Sequence, residues 1–243
     1  MKKDKTLGVI GGLGPMATAY YMQLVIEMTE ALSDQEHFPM IIYSMPQIPD
    51  RTRYLLGLSE ESPLEPIVNC AKALERDGAD VIAIPCITAH AMHEQIQDGS
   101  NIPVIHAIEE CVTYLKENNI QRVGLEATDG TIKTRVFQDK LEAAGIEVVL
   151  PNKEMQANVM DIIYKNVKAG LPVDMEAFSQ VEAQLVKDGA QVIILGCTEL
   201  SMVKRDYPLA PIYLDALEVL ARAAVLRCGT LRRGKQHLID VTK

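Results

Sequence analysis

Two spacings of apolar residues alternate along the chain. Short runs rich in branched side chains, at 6–10, 40–44, 80–84 and 103–105, read as strands, and a second set follows at 122–126, 146–150, 191–195 and 211–213. Between them, helical patterns fill 16–32, 63–77, 88–97, 107–118, 131–144, 155–169, 174–188, 199–205 and 215–228. Strands alternating with helices on this scale predict parallel sheets joined by crossover helices.

The two sets of strands resemble each other. Asp77-Gly78-Ala79-Asp80-Val81-Ile82 matches Asp188-Gly189-Ala190-Gln191-Val192-Ile193, and in each copy a cysteine, Cys86 or Cys197, falls nine residues after the first aspartate. Upstream, Leu7-Gly8-Val9-Ile10 with its glycine-rich turn parallels Val123-Gly124-Leu125 followed by Asp129-Gly130. A duplicated half of this kind predicts an α/β protein of two pseudo-symmetric lobes. Each lobe carries a parallel sheet flanked by helices, and a cleft lies between them. The expected boundaries are 1–118 for the first lobe, 119–228 for the second and 229–243 for a tail, with the C-terminal helix able to cross back.

Composition narrows the class of partner. A formal net charge of -9 argues against nucleic acid, which demands a clustered basic face. The one basic cluster, Arg232, Arg233 and Lys235, reads as a solvated tail. No apolar run approaches the ~20 residues that span a bilayer, and residues 1–5 run into the first strand without a signal-like core. The expectation is a cytoplasmic protein without a membrane partner. Five cysteines in a reducing compartment should be thiols, and no C-x-x-C spacing points to zinc.

Cys86 and Cys197 are the cysteines placed to react, because each ends a strand and precedes a predicted helix. Ligands of parallel α/β sheets collect beyond the carboxyl ends of the strands. A helix N-terminus there should favour thiolate. Two thiols facing each other across a cleft suit inversion of a carbon stereocentre: one removes the α-proton while the other supplies a proton to the opposite face. Cys70, Cys111 and Cys228 lie within helical patterns and read as core filling.

Six blocks in order carry a resemblance. They are Gly11-Gly12-Leu13-Gly14-Pro15-Met16-Ala17-Thr18, Ile48-Pro49-Asp50-Arg51-Thr52, Pro85-Cys86-x-Thr88-Ala89-His90, Ala127-Thr128-Asp129-Gly130-Thr131, Val167-Lys168-Ala169-Gly170 and Gly196-Cys197-Thr198-Glu199-Leu200. Together they resemble the aspartate/glutamate racemase family, and within it the aspartate racemases. The resemblance implies a two-lobed fold, catalytic cysteines at Cys86 and Cys197, no pyridoxal phosphate or other cofactor, an amino-acid substrate, and a homodimer. It carries the family's substrate-binding arginine and lysine onto Arg51 and Lys168, and its substrate-lining hydroxyls onto Thr88, Thr131 and Thr198. Two positions depart from the family: Ile87 stands where an asparagine could donate hydrogen bonds, and Glu126 ends a strand where a small or apolar residue is usual. If Glu126 pointed into the cleft, it would repel a dicarboxylate.

Other signals compete. The glycines at 8, 11, 12 and 14 invite a dinucleotide reading, but their spacing differs from G-x-G-x-x-G, and the second strand lacks the acid that binds ribose. His90 and His93 could form a metal pair, yet no third ligand stands nearby in sequence, so no metal is expected. His90 could instead tune Cys86, and Glu199 could accept a proton or orient Cys197. The same scaffold also resembles maleate isomerases, hydantoin racemases and arylmalonate decarboxylases; the decarboxylases use one catalytic cysteine, so the presence of both here argues against them. A racemase of altered or broad substrate range is one alternative, and a two-lobed module that binds a small carboxylate without chemistry is another.

Overall fold

The computed structural model describes residues 5–240. Two parallel sheets form the frame. The first has the order β2-β1-β3, built from β1 (Leu7–Gly11), β2 (Met40–Ser44) and β3 (Val81–Ala83). The second has the order β5-β4-β6-β7, from β4 (Arg122–Glu126), β5 (Glu147–Val149), β6 (Val192–Leu195) and β7 (Tyr213–Asp215). Each half therefore starts at a central strand and adds one neighbour on either side. The segment at 103–105 contributes only a single bridge, Val104 to Ile82, where the second sheet has all of β7.

The repeated Asp-Gly-Ala is a helix stop. In the first half it follows α3 (Leu64–Arg76) and in the second α9 (Met175–Lys187), with Asp77 and Asp188 as C-caps. Gly78 and Gly189 follow at φ +97° and +94°, the left-handed region that a side chain would strain. The chain then turns directly into β3 and β6, so each half sets the same distance from helix end to cysteine.

Several predicted helices are divided. The pattern at 88–97 is a 3-10 turn, Ile87–Met92, followed by α4 (His93–Asp98). Residues 131–144 fall into α6 (Asp129–Lys133) and α7 (Val136–Ala143), separated by Arg135 at φ +55°. The stretch at 155–169 is α8 (Lys153–Asp161) running into a π-helical turn, Ile162–Val167. A short α2 (Arg51–Leu55), capped by the Asp50 side chain on the Arg53 N–H, escapes the periodicity because five residues carry too little of it.

Helices α1 (Pro15–Met28), α5 (Ala107–Glu117) and α11 (Ala216–Cys228) pack together, so the last helix leaves β7 and returns to the first half. The tail is not the solvated arm that its charge suggested. Leu231 pairs with Thr29, the Arg232 N–H donates to the Met28 carbonyl, and the Leu238 N–H donates to Tyr114 Oη. Main-chain groups left unpaired beside a sheet or helix seek partners, and here α1 and α5 supply them. No helix of the described residues is long and apolar enough to cross a membrane.

Candidate active site

The carboxyl ends of both sheets open on one pocket between the halves. Leu13, Asp50, Arg51, Thr52, Cys86, Ile87 and Thr88 line it from the first half. Thr128, Tyr164, Lys168, Cys197, Thr198 and Glu199 face them from the second. Cys86 and Cys197 are each 5% exposed, so both thiols sit at the pocket wall with almost no access to bulk water.

The two sulfurs differ in their neighbours. Cys197 is the N-cap of α10 (Thr198–Asp206), and its Sγ donates to Glu199 Oε2 at 2.9 Å. Burial, together with the Glu199 carboxylate, pushes this thiol well above its ordinary range. The expected preference for thiolate at a helix N-terminus therefore fails here, because the first turn of that same helix brings an acid to the sulfur. Cys86 caps a 3-10 turn instead of an α-helix. It lies beside the Arg51 guanidinium, whose positive charge burial opposes but Cys86 favours through charge and a hydrogen bond.

Arg51 is itself held in place. Nη1 donates to the carbonyls of Ile48 and Pro49, and Nη2 donates to the Leu13 carbonyl at 2.8 Å. Of the five N–H donors of a guanidinium, three are engaged with the backbone, and Nε is buried without a protein partner. Lys168 caps the π-helical turn and forms an ion pair with Glu199 Oε1 at 3.4 Å, while its Nζ lies 4.8 Å from the Tyr164 ring centre. Burial is the largest single effect and works against the Lys168 charge, but Glu199, Cys197, Tyr164 and Asp50 together outweigh it, and the group is pushed up to about 12. Irregular π turns recur at functional sites, and this one turns both Tyr164 and Lys168 to the pocket.

A cluster of threonine hydroxyls joins the halves behind the cysteines. Thr88 Oγ1 lies 3.1 Å from Thr131 Oγ1 and 3.4 Å from Thr128 Oγ1, and the Thr52 hydroxyl donates to Thr128 at 3.3 Å. Thr131 is fully buried and does not line the pocket; it supports Thr88 and Thr128, which do. Thr198 does line it. The halves approach closely at Gly130, where an added Cβ would stand 3.0 Å from the Thr52 Cα.

The remaining sequence candidates have other settings. Ile87 lines the pocket and belongs to the large apolar cluster beneath it. Glu126 does not face the pocket. Val123 and Leu125 turn to the main cluster, so Glu126 shares the opposite face of β4 with Gly124, toward Leu185 and Ile193. There it is 1% exposed with Oε1 unpartnered, and burial plus the Glu182 charge push it up to about 8. His90 is buried away from the pocket lining, with its ring centre 5.5 Å from His106 and 6.0 Å from His93. His106, thirteen positions beyond His93 in the chain, joins the two in space. Its ring stacks on His90 and lies tilted against His93, and among the described residues no group of metal-ligating side chains is arranged to hold an ion. Burial lowers the basicity of both His90 and His106, the latter to about 4. Tyr164 was missed from sequence; only its place one helical turn before Lys168 could have marked it.

Known proteins share this frame. A broad-specificity amino-acid racemase of Bacillus subtilis is 28% identical over 225 residues, covering 90% of this chain and 96% of its own. The solved aspartate racemase of Picrophilus torridus superposes with a TM-score of 0.81 at 28% identity, over 96% of this chain and 99% of that one. The fold extends to the glutamate racemase of Francisella tularensis, solved with D-glutamate, at a TM-score of 0.62 and 20% identity, over 99% of this chain and 85% of that one. A family model for Asp/Glu/hydantoin racemases matches residues 10–224, and the chain is a racemase belonging to that family.

Proposed function

We propose that the protein inverts the α-carbon of a small amino acid without a cofactor, using Cys86 and Cys197 as the two acid–base groups. The observation that carries this reading is that both sulfurs line one buried pocket from opposite halves. Cys86, as the thiolate beside Arg51, takes the α-proton and becomes a thiol. Cys197, held as a thiol against Glu199, gives its proton to the other face and becomes a thiolate. The reverse reaction exchanges the roles. Negative charge builds beside the substrate carboxylate as the proton leaves, and the Thr88, Thr128 and Thr198 hydroxyls are among the neutral donors that line the pocket to meet it.

The family resemblance favours aspartate, with Arg51 and Lys168 as its carboxylate partners. A wider range is favoured by one feature of the site: Lys168 already pairs with Glu199, and most donors of Arg51 are engaged by backbone carbonyls. The reading also takes the protein to be a cytoplasmic homodimer, which light scattering of the purified protein checks for oligomeric state.

The test is α-proton exchange in deuterated water, followed by NMR, with L- and D-aspartate and a panel of other amino acids. Cys86→Ser and Cys197→Ser should each lower the rate by ~10²–10⁴, the usual worth of a positioned acid or base. Absence of exchange from every amino acid with the folded protein overturns the reading. Unchanged affinity for a carboxylate in both serine variants, with no exchange in any form, would instead identify a binding module.

A further inference from the structure

The cysteine pocket has no room for a long side chain beside the reacting centre. Its free space is about that of one water, whereas a cleft of about 520 Å³ opens directly from it. The two share Leu13, Asp50, Arg51, Lys168, Thr198 and Glu199, so the cleft is the pocket's mouth. Every charged residue of the mouth belongs to this shared inner rim. Beyond the rim the walls are apolar: Pro15, Met16, Ile48, Val167 and Met202 among them, with Met16 65% exposed.

The charges of the rim cancel. Arg51 and Lys168 supply two positive groups, and Asp50 and Glu199 supply two acids; Asp50 acts on both cations and Glu199 forms the ion pair with Lys168. One thiolate adds a further negative charge during turnover. An amino acid with an uncharged side chain enters with its own charges balanced. A dicarboxylate brings an extra negative charge into a site with no unopposed cation among the described residues, and its distal carboxylate would lose water against apolar walls. A cationic side chain finds no acid beyond the rim.

We propose that this apolar mouth is the subsite for the substrate's side chain, and that elongated, uncharged side chains of the size of methionine or norleucine are preferred over aspartate. The α-carbon with its carboxylate and amino group sits in the inner pocket between the cysteines, and the side chain passes the rim and leaves through the mouth between α1 and the π-helical turn. This rests on the racemase reading for its reaction, but it makes a separate claim about binding.

The test is a series of alanine, 2-aminobutyrate, norvaline, norleucine, methionine, aspartate and lysine. Each is measured twice, by calorimetric binding and by α-proton exchange. Each methylene buried against the mouth should improve affinity and kcat/KM about fourfold, hence on the order of 50-fold from alanine to norleucine. Norleucine should exceed aspartate and lysine by at least ~10-fold. Met16→Glu, at an exposed position, and Gly14→Leu, where an added Cβ meets nothing within 4 Å, should each lower the norleucine-to-alanine ratio about tenfold or more. A flat aliphatic series, or aspartate or lysine ahead of norleucine, overturns the proposal. Graded binding without exchange upholds it and sinks the racemase reading instead.

Discussion

Glu126 is a carboxyl group sealed inside the second half, and its ionisation should limit the stability of the fold at alkaline pH. Burial is the main cause of its elevation from an ordinary 4.5 to about 8, and the Glu182 charge adds to it. The Tyr213 hydroxyl, which a proton on Glu126 could have met, donates instead to Glu182 Oε2 at 2.9 Å. A carboxyl group raised on folding contributes its full stability below about pH 4.5, where both states hold the proton. That contribution is lost progressively as pH rises, and is gone once pH passes the folded value near 8. At about 1.4 kcal/mol per pH unit, the loss over this window is on the order of 5 kcal/mol as an upper value. That is a large share of the ~5–15 kcal/mol that typically holds a domain together.

Glu126→Gln removes the titration while keeping the shape of the side chain. Urea unfolding at a series of pH values from 4 to 9 should show the variant gaining on the parent steadily between about pH 4.5 and 8, then holding a constant lead. The amide's extra N–H groups lack partners, so the variant can start ~1–3 kcal/mol below the parent in acid; the slope carries the prediction. Parallel curves for the two proteins across that window would refute the account of Glu126 as a buried, neutral acid.

Two further substitutions probe the site itself. Glu199→Gln removes the carboxylate that adds to burial in holding the Cys197 thiol up, and it takes away the ion-pair partner of Lys168 beside the sulfur; both changes favour thiolate. Alkylation of Cys197 by iodoacetamide, followed by peptide mass spectrometry, should then rise at lower pH than in the parent, and an unshifted profile counts against Glu199 as the controlling group. Gly130→Ala places a Cβ about 3.0 Å from the Thr52 Cα, where backbone must move. It should cost ~1–3 kcal/mol in thermal or urea unfolding and lower exchange activity by spreading the halves, whereas a neutral effect would mean that the threonine-lined contact is slack.

The chain itself specified the order of strands and helices, the duplication and the two cysteines at matching strand ends. These rest on local rules: apolar spacing sets each element, Gly78 and Gly189 end the preceding helices in the left-handed region, and the same count of residues then delivers Cys86 and Cys197 to strand ends. Family blocks read from 11 to 200 pointed to racemisation for the same reason, since the residues that carry them lie in short contiguous runs. Helix breaks were less legible, because the π turn at 162–167 and the left-handed Arg135 interrupt patterns that remain apolar throughout. The electrostatic character of the site came only from tertiary contact. Arg51 is anchored to Leu13, 38 positions away, and Glu199 reaches back to Cys197 and across to Lys168. Likewise, His106 completes a stack that His90 begins, and the face of β4 decides that Glu126 enters the core instead of the cleft. Proton affinity depends on burial and on charges a few ångströms away, and neither is written in spacing along the chain.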